Sequence, residues 1–222
     1  MITLGAFLPG LTAAVVDRQQ KIGYADIAPV ELELQEKDSL TMLEKVYLSR
    51  SSSDALDISS TSMQMTEDMV KDAVRTGLEP YLEADLLRGW TEDTLFQCRP
   101  ILMIDEATGL YGQAWVVFLS RGVTHTAQLN LLVDDETGRL LDIYSWSFDW
   151  LYASRDMSEC LETFMALYLQ GLELEEPYYI RDTTTSSEGV SLQCWWQFPL
   201  DNDSAVDFDI EFCFFPQGFY TN

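Results

Sequence analysis

Residues 125–152 read HTAQLNLLVDDETGRLLDIYSWSFDWLY. Leu129, Leu131, Leu132 and Val133 form an apolar run that stops at Asp134-Asp135-Glu136-Thr137-Gly138, a cluster of turn-forming residues. A second run follows, with aromatic residues on alternate positions: Tyr144, Trp146, Phe148, Trp150 and Tyr152. Side chains of a strand alternate between its two faces, so a strand carried that far sets all these rings on one side. The stretch is a pair of antiparallel strands with a large apolar face to bury, which makes the domain β-rich.

Further strands are expected at Leu95–Ile104, 111–120 and 125–133, the last leading into the hairpin. Thr66 is a good N-cap, and Glu67 and Asp68 put negative charge in the first turn, where the helix dipole favours it. Met69, Val70, Ala73, Val74, Gly77 and Leu78 then repeat on one helical face, and Pro80 limits any extension. Downstream, Asp156 and Glu159 have capping-box spacing, with Asp in place of Ser or Thr. Leu161, Phe164, Met165, Tyr168, Leu169 and Leu172 mark a second helical face, with Gly171 where a C-cap would be. Strand candidates at 178–183, 190–198 and Ala205–Phe215 come next. A helix followed by three strands thus occurs twice, at 66–143 and 156–215, with hardly any residue identity between the two. Upstream, 29–34 alternates as a strand, Asp38 or Ser39 can cap a short helix carrying Leu40, Leu43, Val46 and Tyr47, and the Ser-, Thr- and Asp-rich stretch 49–64 reads as a linker. The fold class is α+β: helices packed on antiparallel sheet, as tandem helix-plus-three-strand units or as one sheet built from both.

The 222-residue chain is 47% apolar and holds six Trp, ten Tyr and eleven Phe, enough for a sizeable core. Its 37 acidic and 13 basic residues give a formal charge of −24. A field of that sign repels phosphate backbones and anionic lipid headgroups, so nucleic acid is a poor partner. Residues 2–16, ITLGAFLPGLTAAVV, are uncharged and followed by Asp17, Arg18 and Lys21. They are too short for a spanning helix and lack the basic lead of a signal peptide. They read as the remnant of a truncated membrane anchor or signal, with an ordinary buried segment as the alternative. Cys98, Cys160, Cys194 and Cys213 form no CxxC pair. Cys194 and Cys213 fall on strands expected to be neighbours, so one disulfide can form there in an oxidising compartment; buried free thiols are the other reading.

The sequence carries little that points to reaction chemistry. His125 is the chain's one histidine, so a Ser-His-Asp or Cys-His arrangement would have to use it, and no nucleophile signature accompanies it. No GxGxxG, GxxxxGK[ST] or GxSxG motif occurs. Neither a cofactor nor an enzymatic activity is expected. Asp207, Asp209 and Glu211 alternate with Phe208, Ile210 and Phe212, which puts three carboxylates on one strand face. Such oxygen-rich groups suit calcium, although the ordinary reading is a wet sheet face. Tyr144, Trp146, Trp150 and Tyr152 are the candidate ligand-binding residues: exposed rings would stack on a sugar or grip a peptide. The competing reading buries them as the seam between the two helix-plus-strand units.

Met65–Leu78 as the helix and Val133-Asp134-Asp135-Glu136-Thr137-Gly138-Arg139-Leu140-Leu141 as the turn give residues 65–145 a resemblance to the PepSY-like domains of bacterial cell-envelope proteins. In those domains a helix precedes antiparallel strands, one of which ends in a Val-Asp-x-x-Thr-Gly-type turn. The resemblance implies an envelope-located, non-catalytic module that regulates a protease or senses through a protein partner, and it carries over no catalytic residues. The expected organisation is an anchor or signal remnant at 1–27, an N-terminal strand, short helix and linker at 28–64, a PepSY-like unit at 65–152 and a second helix-plus-strand unit at 153–222. The expected function is a non-catalytic, extracytoplasmic, membrane-tethered binding or regulatory module with a protein partner in the envelope. It would touch the membrane only through the N-terminal segment. A carbohydrate- or peptide-binding module and a cytoplasmic interaction domain are the alternatives.

Overall fold

The computed structural model describes residues 39–52, 54–87, 94–121, 127–145, 156–174, 179–180, 184–185, 190–199, 205–215 and 218–221. The expected strand at 29–34, the apolar segment 2–16 and His125 lie outside the described residues, as do Trp146, Phe148, Trp150 and Tyr152. Three helices are described: α1 (Met42–Ser51), α2 (Glu67–Glu83) and α3 (Met157–Leu172). The strands are β1 (Asp54–Asp57), β2 (Leu95–Ile104), β3 (Tyr111–Arg121), β4 (Ala127–Asp134), β5 (Leu140–Ser145), β6 (Tyr179–Ile180), β7 (Thr184–Thr185), β8 (Val190–Pro199), β9 (Ala205–Phe215) and β10 (Gly218–Thr221). The fold is α+β, with helices packed on an antiparallel sheet.

The sheet runs β1-β2-β3-β4-β5-β10-β9-β8-β6, with β7 also on β8, and every pairing is antiparallel. The meander after α2 (β2 to β5) and the meander after α3 (β8 to β10) therefore meet last strand to last strand. Among the described residues, β10 pairs β5 at Tyr144 and Ser145 and pairs β9 from Phe212 to Phe215. Beyond it, 140–143 of β5 and 205–211 of β9 have no strand between them among the described residues, and α1 stands at this opening. Tyr47 of α1 packs edge-on to Phe198 and Phe208, at 5.3 and 5.7 Å between ring centroids.

Register decides what each helix covers. Trp115, Val117 and Leu119 of β3 pair Val133, Leu131 and Leu129 of β4 on one buried face. Phe96 of β2 shares that face through its pairing with Leu119, and Lys71 of α2 lies 5.8 Å above its ring, so α2 covers it. Met103 and Gly112, paired between β2 and β3, sit on the other face. A Cβ on Gly112 would come within 3.1 Å of Leu48 Cδ2, so α1 lies there. The second meander packs against α3 through Phe212, whose ring centroid is 5.4 Å from Tyr168 and 6.3 Å from Phe164.

Local capping follows the sequence in part. Thr66 caps α2, its hydroxyl accepting from Met69 N, and Asp156 caps α3, accepting from Ser158 N. The first helix is capped by Thr41 rather than Asp38 or Ser39, because Thr41 and Glu44 close a reciprocal capping box. Met69 is half exposed: it stands about 100° around the helix from the Val70, Val74, Leu78 and Tyr81 stripe. Pro80 does not end α2, which runs on to Glu83; proline removes one helical hydrogen bond, and Ala84 N still donates to the Pro80 carbonyl at 3.0 Å. Gly171 is helical, and the left-handed residue is Glu173, at φ 53° and ψ 35°. The 49–64 stretch is no simple linker, since it holds the end of α1, β1 and a 3-10 turn at Ser60–Ser62. A short polar strand such as β1 is a normal guard for a sheet edge, which is why composition hides it.

Candidate functional site

Two turns of one design close the same end of the first meander. Asp105-Glu106-Ala107-Thr108-Gly109 joins β2 to β3, and Asp134-Asp135-Glu136-Thr137-Gly138 joins β4 to β5. In each, the threonine hydroxyl donates to the aspartate carboxylate at 2.5 Å. The glycine N–H donates to the aspartate carbonyl at 2.8 Å in the first turn and 2.9 Å in the second. Gly109 and Gly138 have φ of 71° and 72°, a region glycine enters without steric cost.

Helix α1 is fastened to both turns. Lys45 Nζ donates to Asp134 Oδ2 at 2.9 Å and to Glu136 Oε2 at 2.6 Å. Tyr47 Oη donates to Asp105 Oδ2 at 2.8 Å. Burial opposes the charge on Lys45, but its hydrogen bonds to Glu136 and Asp134, with the attraction of both carboxylates, outweigh it and hold the ammonium above its ordinary pKa. Burial, with Asp105 beside it, raises the Tyr47 phenol. Asp135 is 2% exposed and faces the other way, accepting from Gln64 N at 2.7 Å, Met65 N at 3.1 Å and Trp115 Nε1 at 2.8 Å. It ties the approach to α2 onto the hairpin.

Arg50 fills the opening of the sheet. Its Nη2 donates to Tyr168 Oη at 3.2 Å and lies 3.6 Å from Asp142 Oδ1. Tyr168 Oη donates in turn to the Leu141 carbonyl at 2.6 Å, and Thr221 Oγ1 bonds Asp142. Burial works against the guanidinium charge, yet Tyr168 and Asp142 keep its pKa raised. The buried Arg50 Nε has no hydrogen-bond partner among the described residues.

A groove of about 890 Å³ runs between the C-terminal halves of α2 and α3, over the second turn. Leu140, Tyr81 and Tyr168 line its apolar part, and Ala73, Gly77, Gly138 and Gly171 give it small walls. Arg139 borders it, with Nη1 donating to the Leu172 carbonyl at 3.0 Å and Nη2 2.5 Å from Glu173 Oε1. That contact, mainly its hydrogen bond, holds the Glu173 carboxyl below its usual pKa.

Of the expected ligand-binding residues, Tyr144 is half-buried on β5 and lines a separate cavity of about 300 Å³ with Asn130 and Leu132; Trp146, Trp150 and Tyr152 lie outside the described residues. Asp207, Asp209 and Glu211 do share a strand face. Asp207 accepts from Gln197 Nε2 at 2.8 Å and Asp209 from Gln193 Nε2. Among the described residues no group of three or more His, Cys, Asp or Glu is placed to hold a metal ion. None of Cys98, Cys160, Cys194 and Cys213 is in a disulfide, so of the two readings of Cys194 and Cys213 the unbridged one holds. Cys194 pairs Ile210 whereas Cys213 pairs Ser191, an odd offset that sets the two on opposite faces of the sheet. Sequence reasoning missed Lys45, Tyr47, Asp105 and Tyr81. The recurrence of Asp-x-x-Thr-Gly at 105 and 134 was the available signal for the first three.

Comparison with protein-family models, with curated proteins and with solved structures finds no match in any of the three.

Proposed function

We propose that the chain is a non-catalytic binding or regulatory module of a bacterial cell envelope, PepSY-like over residues 65–145 and tethered through its N-terminal apolar segment. One observation carries the reading. The buried carboxylates Asp105, Asp134 and Asp135 are engaged in holding turns and helices, while a groove of about 890 Å³ between α2 and α3 is walled by small, apolar and polar residues together. Charged groups serve the architecture, and an open groove is left for a partner. The order of α2 followed by antiparallel strands and the Asp-x-x-Thr-Gly turn supports the PepSY-like part. No helix among the described residues is long and apolar enough to cross a membrane, so the tether in this reading is the segment at 2–16.

The test is a fusion of alkaline phosphatase to the C-terminus of the full chain, expressed in bacteria with its native upstream sequence. Phosphatase folds and works only outside the cytoplasm, so activity in the membrane fraction is expected. An inactive, soluble fusion overturns the location and leaves the cytoplasmic interaction domain as the better reading.

A further inference from the structure

Tyr81 lines the α2–α3 groove with 4% of its surface exposed. Its ring packs on Phe164, at 5.5 Å between centroids, and its hydroxyl makes no hydrogen bond among the described residues. Neighbouring Tyr168, by contrast, both donates and accepts. The Tyr81 oxygen is not one of the sealed polar atoms left without a partner, so it reaches the open side of the groove and can donate to an occupant there. The wall on the α3 side is low: a Cβ on Gly171 would meet nothing within 4 Å. The α2 side is closed, since a Cβ on Gly77 would come within 2.9 Å of Leu140 Cγ. The open α3 side admits a main chain at close range. Charge selects further. Arg139 is neutralised by Glu173, exposed Glu83 stands on the border, and the whole chain carries −24. A second copy with the same charge is disfavoured.

We infer that the α2–α3 groove binds a short extended peptide that carries a basic side chain, with a peptide carbonyl accepting from Tyr81 Oη and the cation facing Glu83. This rests on the reading of the chain as a binding module and names the partner's chemistry. The hydroxyl acts as donor to a neutral acceptor, and burial of the ring holds the phenol protonated across the ordinary pH range.

The experiment uses the purified full chain and an arrayed set of fluorescein-labelled hexapeptides, each of small apolar residues with one Lys placed at a different position, read by polarisation. Saturable binding is expected for a subset. Tyr81→Phe should weaken it about 3- to 10-fold, the range of one neutral hydrogen bond, without lowering thermal stability, because the hydroxyl supports nothing in the free protein. Gly171→Leu fills open space on a helix and should abolish binding while leaving the fold at least as stable. Glu83→Gln should reduce both affinity and its dependence on salt. The inference is overturned if no peptide binds below about 1 mM, or if Lys→Glu peptides bind equally well. It also fails if Tyr81→Phe and Gly171→Leu leave binding unchanged, or if Gly171→Leu instead dissociates a dimer in sedimentation, which would make the occupant a second copy. Binding to the purified protein is independent of compartment, so failure here leaves the phosphatase result standing.

Discussion

Replacing Lys45 by Met should loosen the molecule far more than loss of a surface ion pair would. The Lys45 side chain is 8% exposed and that of its partner Asp134 4%, so the pair is sheltered from water. Breaking a buried pair by deleting one partner costs about 3–5 kcal/mol, because the other charge is left buried without compensation. Two features pull the figure to the lower end. Glu136, the second partner, is half exposed and can turn to water. Asp134 keeps the Thr137 N–H at 2.9 Å and the Thr137 hydroxyl at 2.5 Å. A loss of about 3 kcal/mol is expected, which lowers a urea midpoint by about 1–2 M for a typical m-value. Adding Asp134→Asn to Lys45→Met should recover part of the loss, since the stranded charge is then removed. The assay is equilibrium urea unfolding followed by tryptophan fluorescence, at low and at high salt. A loss below about 0.5 kcal/mol, or one that disappears in about 1 M salt, would place the pair among screened surface bridges and refute the account of α1 as a fastened element.

Gly138→Ala should cost about 1–3 kcal/mol in the same assay, because its φ of 72° is left-handed and the new Cβ would meet Ala73 Cβ at 3.1 Å; an unchanged midpoint would count against the turn geometry. Stability should fall as pH rises above about 10. Lys45 and the buried Tyr81 and Tyr168 all have folded pKa values raised above their unfolded ones. The folded state therefore holds protons that the unfolded chain releases, and stability present below that pH is lost above it. Tyr168→Phe should flatten the alkaline slope, as read from thermal unfolding across pH. Burial pushes the half-buried Cys98 thiol up to about 11, with Glu67 adding to the shift. Iodoacetamide at pH 8 should alkylate it more slowly than a free cysteine, because the thiolate is the nucleophile. Equal rates would show the site to be more open than described.

The long elements were legible in the sequence because their signals are local. The α2 stripe of Val70, Val74 and Leu78, the Thr66 and Asp156 caps and the Val133–Gly138 turn each depend on residues within a few positions of one another. Apolar alternation placed β2, β3, β4, β8 and β9 for the same reason. Tertiary structure alone decided how the two meanders meet, because β5–β10 pairing joins residues far apart in the chain and leaves no mark in either strand. It also decided the work of α1. Lys45, Tyr47 and Arg50 are ordinary helix residues in sequence and become anchors only where α1 meets the two turns and the opening of the sheet. The register of β8 on β9 set Cys194 and Cys213 on opposite faces, which counting cysteines could not show. Whether a carboxylate is wet or buried depends on what packs over it. That is why Asp207, Asp209 and Glu211 stood out by pattern, whereas Asp135, in an unremarkable turn, holds α2's approach and Trp115 together.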